Sequence, residues 1–159
     1  MTEKIISIPF TEVEDISKLD ENEQSLVNAA IEAAKNAYAP YSKFNVGAAV
    51  LLENDVIITG SNQENAAYPS GLCAERIALF TAGANYGNIA PLKMAIVAMK
   101  DGKFTDNPVS PCGACRQVFA EVEKRYSKPF SILLIGKEKI VKFEKSGLLL
   151  PFTFNSIEI

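Results

Sequence analysis

Between residues 20 and 38 apolar positions recur at helical spacing. Leu26, Ala30, Ala33 and Ala37 form one stripe, and Val27, Ile31, Ala34 and Tyr38 form a second beside it. Asp20, with Glu23 three residues on, has the pattern of an N-terminal cap, and Pro40 stops the run. So broad a face, rich in alanine, predicts close packing on a sheet. The apolar run 46–52, the turn Glu53-Asn54-Asp55 and Val56-Ile57-Ile58 predict an antiparallel hairpin. Cys73 opens a second helical pattern, with Ile77, Phe80 and Ala84 on one face. Positions 92–99 are an unbroken apolar strand of the kind buried on both faces. A loop over 101–111 leads to a third helix, headed by cysteine. Its periodic residues are Val118, Phe119, Val122 and Tyr126, with Lys124 and Arg125 where cations suit the dipole. Strands follow at 130–135 and 140–143. The tail from Leu148 to Phe154 is too apolar to stand in water. Ahead of residue 20, only Ile5-Ile6-Ser7-Ile8, stopped by Pro9, has a strand-like pattern, that of a sheet edge. The sum is an α/β three-layer sandwich: a mixed sheet of about five strands with helices on both faces.

Composition narrows what such a domain does. At 159 residues the chain is the size of one domain, and 48% hydrophobic with 22% charged residues is ordinary for a globular enzyme. No apolar run approaches the roughly 18–20 residues of a membrane span, and Met1-Thr2-Glu3-Lys4 does not open a secretory signal. The expected setting is the cytoplasm, with no membrane partner. The net charge of −3 and the scattered basic residues exclude a phosphate-binding stripe in the sequence, so nucleic acid is not an expected partner. The chain has no histidine, which removes the usual neutral-pH base and any His-containing metal site.

The chemistry then rests on three cysteines, an odd number that does not make a disulfide framework. Cys112 and Cys115 stand three apart in Pro111-Cys112-Gly113-Ala114-Cys115-Arg116, at the first turn of a helix. Cys73 heads another helix in Cys73-Ala74-Glu75-Arg76. Two thiolates so spaced grip one metal at about 2.3 Å each, and a helix N-terminus favours the thiolate form. If both helices start at one edge of a parallel sheet, three sulfurs meet at one zinc. Three protein ligands leave the fourth tetrahedral position open to water. Zinc with three thiolates and a hydroxide sums to about −2, and donors on the sulfurs would drain that excess. Arg76 and Arg116, next to Glu75 and Cys115, are the candidates for that task. A C-x-x-C pair heading a helix equally fits a thiol redox protein, which leaves Cys73 and Glu75 unused. Taken singly, Cys73 reads as a core cysteine and Glu75 as a solvated first-turn acid.

C-A-E-R followed by P-C-G-A-C-R-Q resembles the small homotetrameric cytidine deaminases, the three-cysteine branch of the zinc nucleobase deaminases. The likeness runs from about residue 38 to 154. It takes in Tyr41-Ser42-Lys43-Phe44, Val46-Gly47-Ala48-Ala49, Asn62-Gln63-Glu64-Asn65-Ala66, Tyr68-Pro69, and Leu149-Leu150-Pro151 with Phe154.

That resemblance implies one zinc per subunit on Cys73, Cys112 and Cys115. It implies hydrolytic deamination of cytidine and 2′-deoxycytidine at C4, with Glu75 carrying the protons. It places the Ala74 N–H on the pyrimidine O2, the Ser110 carbonyl on the leaving amino group, Asn62 and Glu64 on the ribose 3′-hydroxyl, and Phe44 against the base. Ala66 and Tyr68 would reach a neighbouring subunit's ligand, and Phe154 would close another subunit's pocket, in a homotetramer with shared sites. The deaminase domain would occupy residues 20–159, preceded by an extension, 1–19. Asn45, Ile77 and Leu148 depart from the family pattern, at positions where proline, threonine and glutamate are common. Asn45 bears on substrate choice because it adjoins Phe44. Two other readings compete: a deaminase of a modified cytosine compound such as a blasticidin-type antibiotic, and polynucleotide editing. The first sits poorly with a ribose pair and the second with an acidic chain.

Overall fold

The computed structural model describes residues 1–154. Its elements, in order, are β1 (Thr11–Val13), α1 (Glu21–Lys35), β2 (Phe44–Leu52), β3 (Ile57–Ser61), α2 (Ala74–Asn85), β4 (Pro91–Lys100), β5 (Lys103–Phe104), α3 (Gly113–Tyr126), β6 (Ser131–Ile135) and β7 (Ile140–Phe143), with short 3-10 turns between some of them. They build a seven-stranded sheet in the order β1-β7-β6-β4-β2-β3, with β5 paired to the end of β4. Pairing is antiparallel throughout except between β4 and β6. The layered α/β sandwich is as expected from the pattern. The two strands beyond the expected five are β1 and β5, three and two residues long. The N-terminal edge strand falls at Thr11–Val13, beyond Pro9, where it pairs with β7. Ile5, Ile6 and Ile8 stay exposed.

Strand alternation splits the core in two. Leu26, Val27, Ala30 and Ala34 of α1 pack on Ala49, Leu51, Ala95, Val97, Leu133 and Ile135 on one face. On the other, α2 and α3 cover Ala48, Val50, Met94, Ile96, Ile132 and Leu134. α1 and α2 each meet the sheet at a glycine that no other residue could replace: a Cβ on Gly47 would stand 2.0 Å from the Ala30 carbonyl oxygen, and one on Gly60 2.5 Å from that of Ala74. This close approach corrects the expected face of α2. Its buried residues are the small Ala74, Ala78 and Ala82 with Leu79 and Glu75, whereas Phe80 is exposed and Ile77 is half-buried.

Asp20 caps α1 by accepting from Glu23 N at 2.7 Å, but the Glu23 carboxylate turns towards the sheet. There it is buried between Lys93 Nζ (2.8 Å) and Lys142 Nζ (2.9 Å), which come from β4 and β7. Burial alone would raise the Glu23 pKa; the hydrogen bonds and charges of the two lysines outweigh it and hold the carboxyl below its usual range. Its contribution to stability is therefore present above that range and is lost as pH falls through the folded value. Glu23→Gln is expected to destabilise the protein by about 2 kcal/mol at pH 7, because Lys93 and Lys142 lose the buried counter-charge between them and keep only the exposed Asp20 (3.3 Å) and Glu144 (3.5 Å). In urea melts, the gap from wild type should close as the pH drops below the usual carboxylate range. A gap that persists in acid would show packing, and not charge, to be its source.

Candidate active site

Because β2 is antiparallel to both β3 and β4, those two strands point the same way on either side of it. The segments that leave them head α2 and α3, so both helix N-termini arrive at one end of the sheet, although the sheet is mixed and not parallel as the spacing argument supposed. Strand ends at which helices begin are where open α/β sheets bind ligands. A cavity of about 650 Å³ lies there, and Ile96, Ala98, Cys73, Glu75, Arg76 and Cys112 are among the residues that line it.

Cys73 and Cys112 are the N-caps of α2 and α3, and Cys115 lies one turn into α3. Their sulfurs converge: Cys73 to Cys112 is 3.9 Å, Cys112 to Cys115 is 3.6 Å, and all three lie within 4.8 Å of one another. Two sulfurs on one tetrahedral zinc, each at about 2.3 Å, stand roughly 3.8 Å apart. The cluster fits that ion without rearrangement. A two-thiol redox pair gives no reason for a third sulfur at this distance.

With the sulfurs crowded together, charge concentrates on one. The hydrogen bond from Cys115, then those from Arg76 and Cys112, bring Cys73 down to about 5 against the opposing effect of burial. Cys115, which donates to Cys73 and is buried beside the Glu75 carboxylate, is pushed up. A dication among the three would reverse that second shift and hold all of them as thiolates. Arg76 Nη2 lies 3.7 Å from Cys73 Sγ. Arg116 goes elsewhere, correcting the expectation that it too serves a sulfur: Nε donates to the Pro111 carbonyl (2.8 Å) and Nη1 to that of Leu149 (3.2 Å). Those carbonyls lie outside the sheet ladder and need donors, so Arg116 ties the approach to Cys112 to the C-terminal segment.

Glu75 is 4% exposed and lines the cavity beside the sulfurs. Burial raises its pKa; its own N–H and the Cys115 thiol work against that, and the Cys73 thiolate adds to it. A buried carboxyl whose pKa is raised in this way is suited to take up and release a proton.

Phe44, Asn62, Glu64, Tyr68 and Ser110 line the same cavity. Ala74 is buried as the first residue of α2, so its N–H is among those a helix leaves without an internal acceptor. Ala66 and Phe154 lie outside the lining; Phe154 is 76% exposed, its backbone held by the Gln117 side-chain amide at 2.7 and 3.2 Å. The Asn62 amide is already engaged, accepting from Val46 N (2.7 Å) and donating to Phe44 O (2.9 Å), which leaves one N–H. Asn45 does not meet the cavity. Strand alternation turns it to the α1 face, where its Nδ2 reaches the Ala34 carbonyl at 3.3 Å. Ser42 is among the lining residues for which the sequence pattern supplied no role; a serine two residues ahead of a strand is the usual mark of a side-chain-closed turn.

The model of the cytidine and deoxycytidylate deaminase zinc-binding region matches residues 20–127. A cytidine deaminase of Halalkalibacterium halodurans is 48% identical over 99 residues, 62% of this chain and 70% of that protein. One from Sporosarcina psychrophila is 48% identical over 98 residues, 62% and 68% of the respective chains. The crystal structure of cytidine deaminase from Burkholderia pseudomallei superposes with a TM-score of 0.68 at 39% identity, over 82% of this chain and 97% of that one. With its three sulfurs and the buried Glu75 inside the matched region, the chain belongs to the cytidine and deoxycytidylate deaminase family.

Proposed function

We propose that the protein hydrolyses cytidine and 2′-deoxycytidine to the corresponding uridines and ammonia, with one zinc held by Cys73, Cys112 and Cys115. The observation that carries this reading is a cluster of three sulfurs, two of which, Cys73 and Cys112, line a nucleoside-sized cavity together with the buried Glu75. When bound, zinc supplies Lewis acidity and lowers the pKa of a coordinated water towards 7. Glu75 takes a proton from the attacking water and passes it to the ring N3, then carries a second proton, from the hydroxyl formed on C4, to the amino group that departs as ammonia. Arg76 draws charge off Cys73. The Ala74 N–H and the Ser110 carbonyl orient the base, which packs on Phe44. Asn62 and Glu64 take the 3′-hydroxyl.

The deaminase domain occupies residues 20–159, and residues 1–19 extend it by the edge strand β1. The protein assembles as a homotetramer. Its exposed Tyr41, Tyr68, Phe80, Phe152 and Phe154 are large apolar side chains that association would cover, with Ala66, Tyr68 and Phe154 serving a neighbour's pocket. Three unpaired thiols suit a reducing compartment such as the cytoplasm. No helix among the described residues is long and apolar enough to cross a membrane.

Purified protein is expected to carry about one zinc per chain and to shift the ultraviolet spectrum of cytidine to that of uridine. Turnover of a blasticidin-type compound in preference to cytidine would move the reading to modified cytosines. Reversible two-thiol oxidation without bound metal would end it.

A further inference from the structure

On the reading that the cavity takes a nucleoside by its 3′-hydroxyl, we propose that Ser42 is a positioning residue: it sets the Glu64 carboxylate for a free 3′-hydroxyl and couples it to Phe44 at the base end. The turn over Pro40–Ser42 closes with Lys43 N donating to the Ala39 carbonyl at 3.1 Å, and Lys43 takes a left-handed φ of 56° to leave it. Inside the turn, Tyr41 N (2.9 Å) and Ser42 N (3.3 Å) both donate to Glu64 Oε2, and Ser42 Oγ donates to Oε1.

A carboxylate oxygen offers two lone pairs. Both of those on Oε2 are taken, and one remains on Oε1. The carboxylate is thereby held at both ends, and its one open acceptor site sits beside the serine hydroxyl. Glu64 lies at the partly exposed rim, where an unheld glutamate spreads over many rotamers and loses that freedom on binding. The Ser42 hydrogen bond, ahead of the two from the backbone, also holds the Glu64 carboxyl below its usual pKa range, which keeps it an acceptor.

The serine hydroxyl works on two sides. While it donates to Glu64 it accepts from Phe44 N at 3.0 Å. Asn62 braces the same strand end, donating to Phe44 O and accepting from Val46 N. The residues for sugar and base therefore form one hydrogen-bonded unit, with Ser42 as the side chain that joins Glu64 to Phe44. A charged acceptor fixed in this way favours a hydroxyl donor at the 3′ position and repels a phosphate there. An internal position of a polynucleotide carries that phosphate, so the same device excludes internal positions and selects substrates with a free 3′-hydroxyl.

The test compares cytidine with 3′-deoxycytidine in wild type, Ser42→Ala and Ser42→Thr, each checked for zinc content. Ser42→Ala should raise KM for cytidine about tenfold, the loss of one hydrogen bond to a charged group, with kcat within about threefold. Its KM for 3′-deoxycytidine should rise much less, only by what the loosened Phe44 end costs, and Ser42→Thr, which keeps the hydroxyl, should restore the cytidine value. An equal rise for both substrates, no rise for either, or no rescue by threonine would overturn the role given to Ser42. A wild type that does not turn over cytidine at all would instead remove the nucleoside reading and this inference with it.

Discussion

Glu75→Gln is expected to keep its zinc and lose about three orders of magnitude in kcat, the size of a general acid–base contribution. The amide matches the carboxylate in shape, so the side chain still fits its buried place at the start of α2. It is not needed as a ligand, because three sulfurs already surround the metal position. What the amide cannot do is accept a proton and give it back. The measurement is metal analysis together with single-turnover conversion of cytidine. Full metal with lost kcat and little change in nucleoside affinity is the expected pattern. Loss of the metal as well would make Glu75 a structural support of the cluster, and full activity would remove it from the mechanism. Stability should respond in the opposite direction. Burial disfavours the charged form of Glu75, so in metal-free protein the neutral amide should be no less stable than the acid.

The site was legible in the sequence to the extent that its chemistry demands rare residue types. Three cysteines in a chain without histidine leave few ways to hold a metal, and C-x-x-C at a helix start fixes two sulfurs on one face. The third sulfur needed the topology: β3 and β4 must run in the same direction for α2 and α3 to begin together. Side chains that join separate segments were far less legible. Arg116 finds the carbonyls of Pro111 and Leu149, and Ser42 meets the Glu64 carboxylate, partners brought in by the path of separate turns, and no spacing rule reports those.

The α2 face shows another limit. Helical periodicity assigns the large Ile77 and Phe80 to the core, yet the contact with Gly60 brings α2 so near the sheet that only small residues fit between. Phe80 turns outward and Ile77 is left half-buried. The strands β1 and β5 form because partners present free edges to them, and their own residues alternate too briefly to signal a strand.

Cys112→Ala and Cys115→Ala are both expected to abolish zinc binding and activity, and to differ in what they do to the metal-free fold. Two remaining thiolates leave the ion with half its tetrahedral shell from protein, too few for a site that holds zinc through purification. Cys112 is exposed at the N-cap of α3, and its sulfur packs on little besides the other two. Cys115 is fully buried in the core with Phe119, Ala74 and Ala78. Removing its sulfur opens a small cavity, worth about 1 kcal/mol on the scale of larger deletions. In protein stripped by a chelator, Cys112→Ala should therefore melt with wild type and Cys115→Ala several degrees below it. Restoring zinc should raise the Tm of wild type, since a ligand bound only by the native state stabilises it by mass action. It should leave both variants where they were. If Cys112→Ala still gains stability with zinc, Cys73 and Cys115 hold the ion with some other group and the three-sulfur site is wrong. If neither variant moves from wild type without metal, Cys115 contributes to the core only through the ion it binds.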